Sequence, residues 1–156
     1  NPGVLSIAEE SSAFPLITGS LDEGGLGFDL KWNMGFMNDY LEYIKTDPYF
    51  RSGRHGELTF SMIYAYSEKF MTVFSHDEVT HGKGSMIQKM YGTYEQKFAN
   101  LRAAYGFMMT HPGKKLNFMG NEIGQFREWD ENREIDWSVL GFEPHRKLKD
   151  YVNNVY

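Results

Sequence analysis

Short apolar runs typical of buried strands alternate along this chain with longer segments whose apolar residues recur at helical spacing. Such alternation indicates parallel strands joined by crossover helices. A glycine-rich stretch at 19–27 follows the first run and is expected to be irregular. The predicted strands are 4–8, 28–33, 70–74 and 116–119, and the predicted helices are 34–44, 57–66, 94–109 and 145–156. The sequence therefore predicts an α/β fold with four parallel strands.

Polar side chains follow each predicted strand at the point where it ends. In (β/α)8 barrels the active site is built at this carboxyl end of the strands. A complete barrel takes about 250 residues and eight strands, whereas 156 residues supply four strands. We therefore expect half a TIM barrel forming one incomplete domain over 1–156, with its site among Glu9, Glu10, Asn33, His76, Asp77, Asn121 and Glu122.

The composition excludes several classes of protein. There are 16 Lys and Arg residues against 21 Asp and Glu residues, and no basic cluster that would bind nucleic acid. The absence of Cys excludes disulfides and thiolate metal sites. No apolar run approaches the ~18 residues of a membrane helix, and the chain opens without a signal-peptide pattern. We therefore expect a cytoplasmic protein without a membrane partner.

The first residues predict a turn rather than the beginning of a domain. Asn1, Pro2 and Gly3 form a turn signature that leads directly into the apolar run 4–8. A complete domain rarely opens inside a loop that leads to a core strand. We therefore expect an excised or truncated piece of a longer protein.

Glu9 is the first candidate catalytic residue. A carboxylate that leaves an apolar strand is partly desolvated, which raises its pKa and suits a general acid. The alternative is that Glu9 and Glu10 form a solvated loop pair or cap a helix.

The segment 75–83 is the densest group of chemically capable side chains. It contains two His, two acidic residues and a Lys, which together can bind a polyol through several hydrogen bonds. A metal site at His76, Asp77 and His81 is a weaker interpretation, because no further Cys or His completes a zinc set. A purely structural interpretation is a loop whose Asp caps a helix. A catalytic triad is disfavoured, because adjacent Ser, His and Asp residues rarely face one another and no Gly-x-Ser-x-Gly turn occurs.

Aromatic side chains near the predicted strand ends suit stacking on sugar rings. At such positions they are more often packing residues, so this signal is weak alone. The candidates are Trp32, Phe126, Trp129 and Trp137.

Four motifs, in order along the chain, resemble the 1,4-α-glucan (glycogen) branching enzymes of the α-amylase superfamily, glycoside hydrolase family 13. The resemblance covers essentially the whole chain, and further matches lie at 97–102 and 127–137. The motifs are Ala8-Glu9-Glu10-Ser11, Gly24-Gly25-Leu26-Gly27-Phe28-x-x-Lys31-Trp32-Asn33, Ser75-His76-Asp77-Glu78-Val79-x-His81-Gly82-Lys83 and Phe118-Met119-Gly120-Asn121-Glu122.

The resemblance implies a fold and a set of site residues. The chain corresponds to strands 5 to 8 of the family's barrel. Glu9 matches the general acid/base, and Asp77 matches the carboxylate that binds the distorted sugar ring, with His76 assisting. Trp32, His81 and Trp129 are the candidate glucan-binding residues, and the resemblance implies neither a metal nor a cofactor. Glu10, Asn121 and Glu122 are interpreted as supporting residues.

The resemblance also implies what the 156 residues lack. Retaining chemistry requires a second carboxylate about 5–5.5 Å from the acid, and the family carries that nucleophile on its fourth strand, which nothing here matches. We therefore expect the chain alone to be inactive. Open sheet edges and a one-sided core favour a homo-oligomer or association with the remainder of a parent chain. The alternatives are a non-catalytic glucan-binding domain and a fragment of an amylase-type hydrolase.

Overall fold

The computed structural model describes residues 3–156 and contains one four-stranded parallel sheet. The strands pair in chain order, β1-β2-β3-β4, so each lies beside its neighbour in sequence. The predicted α/β fold with a parallel sheet is confirmed. Asn1 and Pro2 of the predicted turn lie outside the described residues. The strands are β1 (Ile7–Ala8), β2 (Leu30–Asn33), β3 (Phe70–Phe74) and β4 (Lys114–Asn117).

In the described part of the chain, three long helices and three single-turn helices accompany the sheet. Within residues 3–156 no helix combines the length and apolar composition needed to cross a membrane. The long helices are α1 (Met34–Lys45), α5 (Tyr94–Thr110) and α6 (Glu143–Val155), and the short ones are α2 (Gly56–Thr59), α3 (Ser61–Tyr64) and α4 (Met86–Lys89). Segments of 3-10 helix lie at Leu21–Glu23, Pro48–Arg54, His76–Glu78, Asn121–Ile123 and Trp137–Gly141.

The hydrophobic core lies between one face of the sheet and the long helices. The ring of Phe74, at the end of β3, lies 6.1 Å from the rings of Phe36 and Tyr40 on α1 and 6.2 Å from that of Tyr105 on α5. The predicted apolar stripe of α5 is confirmed, because each of its members is buried: Phe98, Leu101, Ala104, Tyr105 and Met108.

Helix α1 begins where β2 ends, so one residue serves both elements. Asn33 is the last residue of β2 and the N-cap of α1, and its side-chain oxygen accepts the Phe36 N–H at 2.9 Å. Because a capping side chain satisfies one of the free N–H groups of a first turn, the strand can pass directly into the helix. This junction fixes the position of α1 at the carboxyl edge of the sheet.

The first predicted strand is wrong over most of its length. Only residues 7 and 8 pair with β2, and Val4 and Leu5 are 67% and 66% exposed. β1 is an edge strand with a single pairing partner, so an apolar run alone does not bury it. The crossover from β1 to β2 also contains no α-helix, because the glycine-rich stretch 19–27 folds as irregular chain with a short 3-10 turn.

The predicted helix 57–66 is also wrong as a continuous element. It divides into α2 and α3, because the N–H of Ile63 bonds to the carbonyl of Phe60, three residues back. Phe60 and Ile63 are 56% and 80% exposed, so part of the apolar pattern that suggested a helix packs against nothing. The strand predicted at 28–33 begins at 30, and the strand predicted at 116–119 is displaced, since β4 begins at 114 and ends at 117.

Candidate functional site

The parallel sheet brings the polar residues that follow its strands to one edge. Since all four strands run in the same direction, their carboxyl ends lie together. Neighbouring strands are about 4.8 Å apart, so the ends of β1 and β3 are separated by about 10 Å of backbone. Long side chains from both ends can therefore reach one sugar-sized ligand between them.

Glu9 and Glu10, the pair that follows β1, lie in different environments. Glu9 is exposed, so the expectation of a partly desolvated carboxylate is wrong; an edge strand provides no cover for the residue after it. Glu10 contacts the Lys31 Nζ atom at 2.9 Å and accepts the Ser12 N–H at 2.7 Å. Hydrogen bonding by Ser12, and then by Lys31, lowers the pKa of Glu10 to about 2. Glu10 is therefore an ionised anchor for the loop.

Lys31 belongs to the second matched motif but was not among the predicted site residues. Its side chain is buried, and Nζ also donates to the Ser12 carbonyl at 3.0 Å. A buried ammonium requires a charged partner, and Glu10 provides it. The position of Lys31 in β2, between apolar neighbours, ordinarily indicates an exposed side chain, so its burial could not be predicted from the pattern.

A cleft of about 650 Å³ opens beside the Glu10–Lys31 pair. Trp32 lines this cleft and is half-buried, with part of its ring packed against the core. Met34, at the start of α1, lies on its floor. The cleft therefore combines aromatic and charged side chains next to the first candidate acid.

His76 and Asp77 lie at the end of β3 on a single turn of 3-10 helix. Their side chains approach each other, with His76 Nε2 3.4 Å from Asp77 Oδ1. Ser75 caps the turn: its Oγ accepts the Asp77 N–H at 3.3 Å and donates to Glu78 at 2.7 Å. The Glu78 carboxylate also accepts the Ser75 N–H at 2.5 Å. Ser75 rather than Asp77 is the cap, which leaves the Asp77 carboxylate about two-fifths exposed.

Asp77 faces a second cleft, of about 530 Å³. Met34, the first residue of α1, lines both this cleft and the one at Glu10. Lys83 and Lys89 also line the cleft at Asp77. Burial, the main cause, lowers the pKa of Lys89 to about 8. The arrangement places one carboxylate in each of two clefts that share Met34.

His81 lies in the loop beyond this turn and is exposed, with a left-handed φ of 57°. Within residues 3–156 no group of three His, Asp or Glu side chains is placed to hold a metal ion. His76, Asp77 and His81 therefore do not form the ligand cluster of the weaker metal interpretation.

The aromatic candidates divide into packed and exposed rings. Trp129 contacts Phe118 edge to face, with ring centroids 5.2 Å apart, and Phe118 lies 5.7 Å from the His76 ring. Phe126 is stacked on Tyr94. Trp129 and Phe126 therefore serve packing at least in part. Trp137 is 46% exposed.

The turn after β4 contributes a buried residue rather than an exposed one. Asn121 is buried, and its carbonyl accepts the Tyr105 hydroxyl at 2.7 Å. Burial raises the pKa of Tyr105 well above its usual value, so that the hydroxyl remains a donor. Glu122 is half-buried. Asn121 thus ties the loop after β4 to α5.

The fold and the site define an α/β protein whose polar residues converge at the carboxyl ends of consecutive parallel strands. In doubly wound sheets the strand order reverses at a switch point, whereas barrel strands follow one another in sequence. The order β1-β2-β3-β4 has no reversal.

Comparison with curated proteins confirms the resemblance to the branching enzymes. The chain is 56% identical over 154 residues to the 1,4-alpha-glucan branching enzyme GlgB of Shewanella frigidimarina, covering 99% of this chain and 21% of that protein. It is 53% identical over 155 residues to the GlgB of Geobacillus stearothermophilus, covering 99% and 24%. For the GlgB of Mesorhizobium japonicum the identity is 57% over 155 residues, covering 99% and 21%.

The similarity is complete along this chain and partial along its relatives. The chain spans about a fifth to a quarter of the length of the curated relatives it matches. No family model matches the chain. The sequence is therefore similar from end to end to one segment of the branching enzymes.

Proposed function

We propose that this chain forms part of the catalytic domain of a 1,4-α-glucan branching enzyme. Such an enzyme cleaves an α-1,4 glucan and transfers the released chain to a 6-hydroxyl, which creates an α-1,6 branch. The observation that carries the proposal is the convergence of the Glu9, His76 and Asp77 loops at one sheet edge, in a chain similar throughout to those enzymes.

Glu9 is the proposed general acid/base. It protonates the glycosidic oxygen as the bond breaks and later removes the proton from the attacking 6-hydroxyl. Its exposure in these 156 residues fits a group that a bound glucan would cover. The neighbouring Glu10 is held ionised by Ser12 and Lys31, so it cannot supply a proton near neutral pH.

Asp77 is the proposed carboxylate that binds the hydroxyls of the distorted sugar ring, and His76 assists it. Asp77 accepts hydrogen bonds only, whereas a His can also donate, so the pair matches both kinds of hydroxyl interaction. The Ser75–Glu78 capping pair leaves the side chains of His76 and Asp77 about two-fifths exposed, and Asp77 lines the cleft. Trp32, His81 and Trp129 are proposed to contact the glucan chain, the two Trp residues by stacking on sugar rings.

The four strands are proposed to be strands 5 to 8 of a (β/α)8 barrel, so that residues 1–156 form the second half of one domain. Sequential strand order supports this, as do the two edges, β1 and β4, each with one pairing partner among residues 3–156. Closing a barrel requires four more strands between these edges. The nucleophilic carboxylate is proposed to lie on the strand that would pair with β1.

The first experiment is the incubation of purified chain with amylose, followed by iodine staining. Without a nucleophile about 5–5.5 Å from the acid the retaining mechanism cannot begin, so the colour is expected to persist. Maltooligosaccharide is nevertheless expected to bind weakly to the half cleft, detectable by Trp fluorescence or NMR shifts. Loss of iodine colour would show that the 156 residues are active alone, which contradicts the proposal that the nucleophile lies on a strand outside them.

The second experiment uses a longer chain, expressed from the parent gene, that also contains the strand proposed to carry the nucleophile. Branching activity is then expected, and Glu9→Gln should lower kcat by a factor of about 10³ or more, because the acid/base step is lost. Glu143→Gln, on the exposed end of α6 where Glu143 pairs with Lys147, is the control and should retain activity. Full activity in Glu9→Gln would overturn the assignment.

Two other functions give different products in the same assays. An amylase-type hydrolase would release reducing sugar without forming α-1,6 linkages. A non-catalytic glucan-binding domain would bind maltooligosaccharide and leave it unchanged even in the longer chain. The proportion of α-1,6 linkages in the product, measured by NMR, separates the three.

The open sheet edges also lead us to propose self-association of the 156 residues. On the face of β3 opposite Phe74, Val73 is fully buried and Met71 is half-buried, so the open edges at β1 and β4 rather than this face carry the proposal. Exposed strand edges pair readily with another chain. Light scattering at micromolar concentration is expected to show a dimer or larger species, and a monomer would contradict this.

A further inference from the structure

Glu128 lies in the loop between β4 and α6 and binds the loop that follows His76 and Asp77. Its Oε2 atom accepts the Gly82 N–H at 3.1 Å, and its Oε1 atom accepts the Gly84 N–H. Each carboxylate oxygen thus holds one amide of the same short segment. Such bonds are stronger than those between neutral groups. They lower the pKa of Glu128, with the Gly84 bond the largest cause.

The segment that Glu128 binds has an unusual backbone. His81, Gly82 and Gly84 have φ values of 57°, 80° and 75°, so three of four consecutive residues are left-handed. This conformation is unfavourable for His81, which carries a Cβ atom. The shape of the segment is therefore maintained by contacts from outside it.

Further contacts connect this segment to the candidate site and to neighbouring elements. Lys83 Nζ donates to the carbonyl oxygen of Asp77 at 2.7 Å. The Trp129 N–H donates to the Val79 carbonyl at 3.0 Å, two residues before the segment 81–84, so the adjacent residues Glu128 and Trp129 both bind the chain that follows Asp77. Lys89 Nζ donates to the Gly84 carbonyl at 2.9 Å. Displacement of the segment would move both His81 and the Lys83 contact to Asp77.

We propose that Glu128 is a positioning residue for the glucan site. It fixes the 81–84 backbone through two amides, and thereby sets the position of His81 and of the backbone at Asp77. This role does not require Glu128 to touch the sugar, because its effect passes through the two amides that its oxygens accept. The effect on glucan rests on the proposed function, whereas the contact with the two amides stands independently of it.

The first test measures amide hydrogen exchange in the 156-residue chain by NMR. Glu128→Gln keeps the side-chain length, but it retains one acceptor oxygen and sets an NH2 group against the second amide. Exchange is expected to accelerate about tenfold at whichever of the Gly82 and Gly84 amides faces the NH2 group, the effect of losing one such hydrogen bond. Glu131→Gln removes the same charge from an exposed position of the same loop and should leave both amides unchanged.

Unchanged exchange at both glycines in Glu128→Gln would overturn the proposal. If that variant does not fold, as judged by circular dichroism, Glu128→Asp replaces it. Asp keeps the charge but is one methylene shorter, so it cannot reach both amides, and at least one of the two should exchange faster.

The second test separates positioning from a purely structural role. Maltooligosaccharide is titrated into each variant, and the dissociation constant is followed by the NMR shifts of His81 and Trp129. The constant is expected to rise about tenfold in folded Glu128→Gln and to stay constant in Glu131→Gln. Faster amide exchange with an unchanged dissociation constant would refute the role of Glu128 in positioning the glucan site. Its contact with the two amides would still stand. Absence of glucan binding by the unmodified chain would instead refute the proposed function.

Discussion

The loops after β1 and β3 carry the two parts of the candidate site, yet they are built in opposite ways. β3 has a paired neighbour on each side, ends in the fully buried Phe74, and continues into a turn capped by Ser75 and Glu78. β1 contains two paired residues at the edge of the sheet, and the exposed Glu9 follows it.

This difference shows which part of the candidate site is held in place by contacts within these 156 residues. The His76–Asp77 part is held by a capping pair on one side and by Glu128 on the other. The Glu9 part depends on one ion pair, between Glu10 and Lys31, and on hydrogen bonds at Ser12. Changes at β3 should therefore reduce stability, and changes at Glu9 should affect function alone.

Phe74→Ala is expected to have the largest effect on stability. The ring is fully buried and contacts aromatic side chains of α1 and α5, so truncation leaves a cavity in the centre of the core. The free energy of unfolding should fall by about 3–5 kcal/mol. Urea denaturation monitored by circular dichroism measures this loss.

The matched change on the β1 side is Leu5→Ala. Leu5 is 66% exposed, so its loss should alter the free energy of unfolding by no more than about 0.5 kcal/mol. Similar losses in both variants would show that the edge strand is as well packed as the central one, and the contrast between the loops would be refuted.

Ser75→Ala should have an intermediate effect. The hydroxyl caps the 3-10 turn that carries His76 and Asp77, and replacing such a cap costs about 1 kcal/mol. Thermal unfolding of the variant, compared with that of Ser52→Ala at an exposed position of the 3-10 segment Pro48–Arg54, measures the difference. A loss at Ser52 equal to that at Ser75 would mean that the cap contributes no special stability.

The elements with complete hydrophobic partners were those that the sequence could predict. β3 and the buried stripe of α5 agree with the prediction because each apolar residue has a core neighbour. The runs 4–8 and 57–66 carry equally strong patterns, but Leu5 and Ile63 are exposed. An apolar pattern indicates which residues favour burial and does not reveal whether a partner is present.

The candidate site was predictable as a set of motifs, whereas its supporting contacts were not. Strand-end position and the family resemblance pointed to Glu9, His76 and Asp77, whereas Lys31 and Glu128 lay within matched segments but were not singled out. The partners of these two residues lie 21 and at least 44 positions away along the chain. Pairing between residues so distant in sequence depends on the tertiary fold, which composition and periodicity do not encode.

The Glu10–Lys31 pair makes the β1 side sensitive to acid. The folded-state pKa of Glu10 is about 2, below the ordinary value of 4.5, so ionisation stabilises the fold above pH 4.5. This contribution is lost as the pH falls from 4.5 towards 2. Carboxyl-detected NMR titration should show the low midpoint, and Lys31→Met should move it part of the way upward because the bonds at Ser12 remain. A midpoint near 4.5 in the unmodified chain would mean that the ion pair does not form.

Glu9→Gln should have the smallest effect on stability. The side chain is exposed, and the change preserves its size, so the free energy of unfolding should change by no more than about 0.5 kcal/mol. The same substitution is the one expected to abolish catalysis in the longer chain, because function there depends on a proton and not on packing. Chemical denaturation of Glu9→Gln and of Phe74→Ala under the same conditions compares their free energies of unfolding. A loss above about 1 kcal/mol would mean that Glu9 is held by contacts within these residues, and the edge of the sheet would then be as organised as its centre.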